Sequence, residues 1–421
     1  MNYGRTGTDT GVRVLQLAGS VIATRHLLMP LMKRLRDTGY QVEAAASGEN
    51  EQVVNEIMEE GFRFHNIGIE RNISIPNLIK SFFSIYRLLK REQFDIVHLH
   101  TPIAAFVGRF AARLAGTGRI FYTAHGFYFH ENMKPVRRLF YQSLEFIAGR
   151  LATDLLFCQS MEDAETASSL NFLSPDRIIW IGNGVDTGRF APDVSLGSLV
   201  REDMGIAPGK TVITFIGRTV REKGIHDLIY SYCGILDRFP DSVLLVVGDS
   251  KTAGDRPDGT IQRLRSFVES EELEDRIIFL GFRRDIDRIM AATDIFVLPS
   301  YREGFPRTIC EAMSCGVPVI STNIRGCREA VDDSGTGILF TPGSRNELKK
   351  ALEDLLTHRG KRILMGKRGR EKAVRELSEE RCLNTQLTVY TSMTPAGGCG
   401  SVLPEEITLE EAEVTAGQSG K

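Results

Sequence analysis

The chain has 421 residues, 42% of them hydrophobic and 25% charged, with a net charge of −2. That length is more than one ordinary core fills, so two domains are expected, and the near-balanced charge argues against a nucleic-acid-binding protein. No stretch approaches the roughly 18 uninterrupted apolar residues of a spanning helix, and the polar start of the chain lacks an apolar signal segment, so a cytoplasmic protein is expected.

In chain order, aliphatic and β-branched runs predict strands at 12–17, 41–46, 62–67, 94–100, 119–123, 153–158 and 177–181. Helical periodicity lies between most of them, as in Leu27–Thr38, which Gly39 closes. The rhythm lapses over 190–210, a stretch holding Pro192 and Pro208, and then restarts. Strands are predicted at 211–217, 242–247, 276–280, 294–298 and 317–321, with helices at 225–239, 261–270, 285–291 and 308–314. Three further helical stretches follow, at 345–356, 361–375 and 379–392. Such alternation argues for α/β architecture with doubly wound parallel sheets. The expected domains are 1–189, a linker at 190–209, a second domain at 210–376, a helix at 377–392 crossing back to the first, and an acidic disordered tail at 393–421. Lys and Arg against Asp and Glu number 21 to 20 over 1–194 and 30 to 29 over 195–391, but one to five over the last thirty residues. The net negative charge therefore sits in the tail. The seven cysteines form no C-x-x-C, which fits reduced packed thiols better than disulfides or a zinc site.

Ligands of doubly wound sheets bind beyond the carboxyl ends of the strands. Gly217-Arg218 ends one predicted strand, and Glu222-Lys223-Gly224 precedes a helix. Two cations beside a helix N-terminus suit a diphosphate, although solvated loop charges would look the same. Glu303 lies in the loop after 294–298 with Gly304, Phe305 and Pro306, and Glu311 lies about one turn into the next helix. Two carboxylates so spaced can bind the hydroxyls of two sugars flanking a diphosphate, or can be ordinary helix-terminus charges.

The set G-R-x3-E-K-G, D-I-F-V-L-P-S-Y-R-E-G-F-P, the second Glu of E-x7-E and C-G-V-P-V-I resembles the family 4 (group 1) retaining glycosyltransferases, including those of bacterial capsule and exopolysaccharide synthesis. The resemblance implies the GT-B fold, two Rossmann-like domains facing across a cleft. It implies that Arg218 and Lys223 hold a donor diphosphate, that Glu303 contacts the donor sugar and that Glu311 binds the ribose. Backbone around Gly304–Pro306 would face the donor, and Gly281-Phe282 would border the base. His125, after strand 119–123, would face the donor sugar, although a lone histidine is more often structural. Gly19-Ser20 follows the first strand and departs from the family's commoner Gly-Gly loop. Asn183-Gly184-Val185-Asp186 resembles the family's turn that closes the N-terminal domain.

The reaction so implied needs no cofactor or metal. The resemblance implies that it moves a hexose or N-acetylhexosamine from a UDP-linked donor to a glycan acceptor on a polyprenyl diphosphate lipid. His98-x-His100 lies on one strand face without a third ligand motif, so packing is expected, and Asp285-x-Asp287 is expected to open a helix. The basic amphipathic segments 77–94 and 133–150 fit either core packing or the inner face of the plasma membrane. Two competing readings are a UDP-N-acetylglucosamine 2-epimerase-like enzyme and a nucleotide-sugar-binding protein without catalysis.

Overall fold

The computed structural model describes residues 10–69, 74–249 and 259–393; most of the segment expected as a disordered tail lies outside them. The chain divides into unit 1, residues 1–182 and 383–421, and unit 2, residues 183–382.

Unit 1 carries strands β1 (Arg13–Leu17), β2 (Gln41–Ala46), β3 (Arg63–Asn66), β4 (Ile96–His100), β5 (Arg119–Ala124), β6 (Leu155–Cys158) and β7 (Ile178–Trp180). All pair in parallel, in the order β3-β2-β1-β4-β5-β6-β7. Every residue of β4 and β6 is buried, as expected of a sheet covered by helices on both faces. The sheet order reverses between β1 and β4, which opens a crevice at their carboxyl ends.

Unit 2 repeats the plan with β8 (Thr211–Ile216), β9 (Ser242–Val247), β10 (Ile277–Gly281), β11 (Ile295–Leu298), β12 (Val319–Thr322) and β13 (Gly337–Phe340). They form a parallel sheet ordered β10-β9-β8-β11-β12-β13, so its reversal lies between β8 and β11. Its core runs from Ile213 and Phe215 through Phe296 and Val297 to Leu348 and Leu352.

Four local features differ from the sequence expectation. The segment 190–209 is no linker: it holds the helix Val194–Asp203, capped by Asp193, whose carboxylate accepts from Leu196 N–H at 2.9 Å. A Cβ at Gly197 would stand 2.3 Å from the Ala291 carbonyl, so this glycine is a close contact with the helix Ile286–Ala291. The helix from Ile225 stops at Cys233 rather than running to 239, with Gly234 next in the chain. Strand β13 has only four residues and escaped the periodicity. The turn at Asn183–Asp186 belongs to unit 2 rather than closing the first domain, because Val185 N–H donates to Leu377 O at 2.8 Å and its carbonyl accepts from Glu379 N–H at 2.9 Å.

The last helix, Glu379–Ser392, starts in unit 2, and its residues from Leu383 belong to unit 1. There Val389 and Tyr390, both fully buried, join the core formed with Val14, Phe121 and Phe157.

Candidate active site

In unit 2 the carboxyl ends of β8 and β11 stand side by side, and both loops that leave them carry the candidate residues. After β8 come Gly217 and Arg218, then a 3-10 turn Arg221–Lys223 and the helix from Ile225. Gly224 joins them at φ +70°, and a Cβ there would lie 1.9 Å from the Pro299 carbonyl. Only glycine allows this loop to touch the one after β11. Tyr301 N–H donates to Glu222 O at 2.9 Å, and Arg302 pairs with Glu222 at 2.7 Å, so the two loops are bonded to each other. Arg218 lies 3.6 Å from the same carboxylate.

This contact brings Lys223 and Glu303 together. Lys223 Nζ donates to Glu303 Oε1 at 2.5 Å, and Ser300 Oγ donates to the same oxygen at 2.7 Å. The ammonium and carboxylate are 19% and 11% exposed, so each would be costly to leave alone. Ser300 is fixed in turn, its carbonyl accepting from Thr322 Oγ1 at 2.6 Å. Below the loop, Gly326 at φ +76° presses on the Gly304 carbonyl, where a Cβ would come within 1.9 Å. Asn183 Nδ2 donates to Phe305 O at 2.8 Å, which ties the turn at Asn183 to the Gly304–Pro306 segment.

Glu311 sits in the helix Arg307–Ser314. Its carboxyl is pushed up to about 7, because burial disfavours the charge more than Arg307 favours it. Arg307 is 3.6 Å from Glu311 and gives its closer bond, 2.9 Å, to Glu379. The carboxyl group therefore has capacity left for hydroxyl donors. Gly281 ends β10 on the same edge of the sheet, and Phe282 beside it is 47% exposed. Asp285 pairs with Arg283 at 2.6 Å and Asp287 with Arg189 at 2.7 Å, so both carboxylates have cationic partners. No group of three or more His, Cys, Asp or Glu side chains suited to a metal occurs among the described residues.

In unit 1, Gly19 follows β1, and its N–H donates to Thr101 Oγ1 at 2.9 Å, beyond the end of β4. Ser20 caps the next helix, its Oγ accepting from Ala23 N–H at 3.2 Å. Thr101 has φ +66°, an uncommon conformation for a β-branched residue, held at the same switch point. The sequence reading missed it. Its one signal was Pro102, which restricts the residue before it.

His125 follows β5, and its loop is anchored where Phe127 N–H donates to the buried Asp163 carboxylate at 3.2 Å. Burial lowers His125 to about 4, so the ring is neutral at physiological pH. Its Nε2 lies 3.1 Å from His100 Nδ1, and the Gln159 side chain is a second hydrogen-bonding neighbour of the ring. His98 and His100 share a face as the strand alternation expects, 4.2 Å between ring centres, and both are spent on internal hydrogen bonds.

Residues 26–189 match the family described as Glycosyltransferase Family 4, and residues 199–372 match that of Glycosyl transferases group 1. The chain is 36% identical over 272 residues to the UDP-Gal:alpha-D-GlcNAc-diphosphoundecaprenol alpha-1,3-galactosyltransferase of Escherichia coli, covering 64% of this chain and 68% of that protein. It is 26% identical over 365 residues to the capsular polysaccharide biosynthesis glycosyltransferase CapM of Staphylococcus aureus, covering 84% and 91%. Among solved structures, Anabaena HepE in complex with UDP superposes with a TM-score of 0.74 at 22% identity, over 91% of this chain and all of that one. Sucrose-phosphate synthase of Thermosynechococcus elongatus gives 0.75 at 20%, with the same coverage. The chain is a glycosyltransferase of the group 1, family 4 class, with the GT-B fold.

Proposed function

We propose that the protein transfers a hexose or N-acetylhexosamine from a UDP-sugar, with retention and without a metal, to a glycan on a polyprenyl diphosphate lipid in cell-surface polysaccharide synthesis. The observation that carries this reading is the Lys223–Glu303 pair at the switch point of unit 2, beside Arg218 and the partly unsatisfied Glu311. The nucleotide is supported by the UDP bound in HepE and the UDP-Gal named for the E. coli relative, and the lipid acceptor by the diphosphoundecaprenol in that relative's name.

In this reading Lys223 and Arg218 neutralise the diphosphate as the sugar C1–O bond breaks, an electrostatic role. Glu303 accepts from a donor-sugar hydroxyl, and Glu311 from the ribose hydroxyls. The acceptor oxygen bonds to C1 on the leaving-group face, and its proton passes to a diphosphate oxygen. His125 is the unit 1 residue assigned to the sugar.

Membrane attachment is part of the proposal, and the helix Pro135–Ala152 supports it. No helix of the described residues is long and apolar enough to cross a membrane. This one packs through small residues instead: Ala148, Gly149 and Ala152 are buried, and a Cβ at Gly149 would stand 2.5 Å from the Phe172 carbonyl. Arg109, 1% exposed, fastens it through Glu145 at 2.8 Å. The large apolar side chains are left outside: Val136, Leu139, Phe140, Phe146, Ile147 and Leu151 are all exposed. Lys134, Arg137, Arg138 and Arg150 are exposed among them, and no exposed acid lies between 135 and 152. At about 1 kcal/mol per cation near an anionic leaflet, four would add about 4 kcal/mol to the apolar contribution. The helix Ile75–Glu92 is different, since Ile85, Leu88 and Leu89 anchor it in the core.

The test is UDP release from a panel of UDP-sugars with a polyprenyl lipid extract, for wild type and Glu303→Gln. Extract-dependent release with one donor, lost in the variant, supports a transferase. Conversion of a UDP-sugar to its epimer without release would favour the epimerase reading. No turnover despite UDP binding would favour a binding protein. The anomer of the isolated product decides retention, and an unchanged rate in EDTA decides the metal question.

A further inference from the structure

In unit 2 the carboxylate of Glu311 shares a cation with a second acid. Arg307 turns one edge of its guanidinium, Nε and Nη2, toward both at once. Nε lies 3.6 Å from Glu311 Oε1, too far for a hydrogen bond, while Nη2 donates to Glu379 Oε1 at 2.9 Å. Arg307 and Glu311 stand one turn apart on the helix Arg307–Ser314, and Glu379 opens the final helix. The three side chains are between 13% and 29% exposed, so none is fully solvated.

An arginine fork can hold one carboxylate through both of its N–H groups, the strongest arrangement open to it. Here the fork is divided. Glu379 takes the closer bond, and Glu311 is left with the longer, Coulombic contact. The other charged neighbours do not alter this division. Arg189 favours the Glu311 charge from a distance, but its Nη2 is given at 2.7 Å to Asp287, whose own charge opposes it. The thiols of Cys310 and Cys315 are kept protonated by burial. Burial raises the Glu379 carboxyl too, Arg307 opposes that rise, and Asp186 faces Glu379 with the same sign. Without the Glu379 charge, both N–H groups of the fork can turn to Glu311, four residues on in the same helix.

We propose that Glu379 is a positioning residue: by holding Nη2 of Arg307 it keeps the guanidinium from closing on Glu311 and leaves that carboxylate to the ribose hydroxyls of the donor, a role that rests on the assignment of Glu311 to the ribose. Glu311 then has a cation near enough to favour its charge and not so near as to occupy its oxygens. Neutral hydroxyls are weaker donors than a guanidinium, so a closed Arg307–Glu311 pair would compete with the nucleotide and weaken its binding. Arg307 and Glu379 are 72 positions apart, so no local pattern shows the pair.

The test measures UDP binding to the full-length protein by calorimetry at about pH 8, above the Glu311 carboxyl's value of about 7. Glu379→Ala should raise the UDP Kd by about fivefold or more. Glu379→Ala combined with Arg307→Met should bring it back to within about threefold of wild type, because the competing guanidinium is gone. In protein labelled with ¹³C at the glutamate carboxyls, the Glu311 signal is identified by its loss in Glu311→Gln. Its titration midpoint should lie about one pH unit or more lower in Glu379→Ala than in wild type. A merely structural role for Glu379 would weaken UDP binding in the single and double variants alike and leave the midpoint in place. An unchanged Kd in Glu379→Ala, a loss that persists in the double variant, or an unmoved Glu311 midpoint overturns the inference. UDP bound by Glu311→Gln as tightly as by wild type would instead remove the ribose assignment, and the midpoint would still decide whether Glu379 holds Arg307 away.

Discussion

Replacing Glu311 with glutamine should erase a pH dependence that the wild-type protein shows around neutrality. Burial pushes the Glu311 carboxyl from 4.5 up to about 7, against the weaker pull of Arg307. If the ionised carboxylate receives the ribose hydroxyls, the donor KM is multiplied by 1 plus the protonated-to-ionised ratio, about 11 at pH 6 and about 1.1 at pH 8. The expected change is therefore roughly tenfold, and the glutamine variant should show a uniformly raised KM without it.

Stability carries an independent signature. Between 4.5 and about 7 the folded protein keeps a proton that the unfolded chain has released. Folding stability from this group therefore falls as pH rises through that window, by about 3 kcal/mol in all. Glu311→Gln should lack that fall and melt higher than wild type at about pH 8, where the charged form is most costly. The assays are UDP-release KM and thermal melts at matched ionic strength across this range. A flat wild-type KM, or a slope that survives in the variant, would refute the reasoning.

Lys223→Ala should weaken UDP binding by about 10- to 100-fold in calorimetry, the worth of one charge-assisted hydrogen bond, and an unchanged Kd would remove the diphosphate role. Glu303→Gln should keep UDP affinity within a few-fold while kcat falls by about 100-fold or more, and a wild-type kcat would sink the sugar contact. Gly224→Ala forces a Cβ to 1.9 Å from Pro299 O, so both the melting temperature and UDP affinity should drop; normal values for both would contradict the loop contact. Leu139→Asp with Phe140→Asp should abolish flotation with phosphatidylglycerol vesicles while leaving water-soluble donor binding intact. Flotation that persists, or its absence in wild type, would rule out the proposed helix face.

The sequence by itself determined the doubly wound class, because buried parallel strands such as β6 and β11 are continuous apolar runs that any reader can find. It also singled out Arg218, Lys223 and Glu303 as candidates, since residues just past a strand end fall at the ligand edge whatever the rest of the fold does. Tertiary structure decided what those residues touch. Lys223 and Glu303 are 80 positions apart and meet only because β8 and β11 are neighbours in the sheet. The sequence could not show that Gly197 marks a helix contact rather than a break, because that depends on the Ala291 carbonyl in another helix. Nor could it orient the helix Pro135–Ala152, whose small residues face inward because the backbone at Phe172 leaves no room for larger ones. The Arg307–Glu379 pair was hidden for the same reason: hydrogen bonds between distant side chains follow from how helices pack, and local periodicity carries no record of that packing.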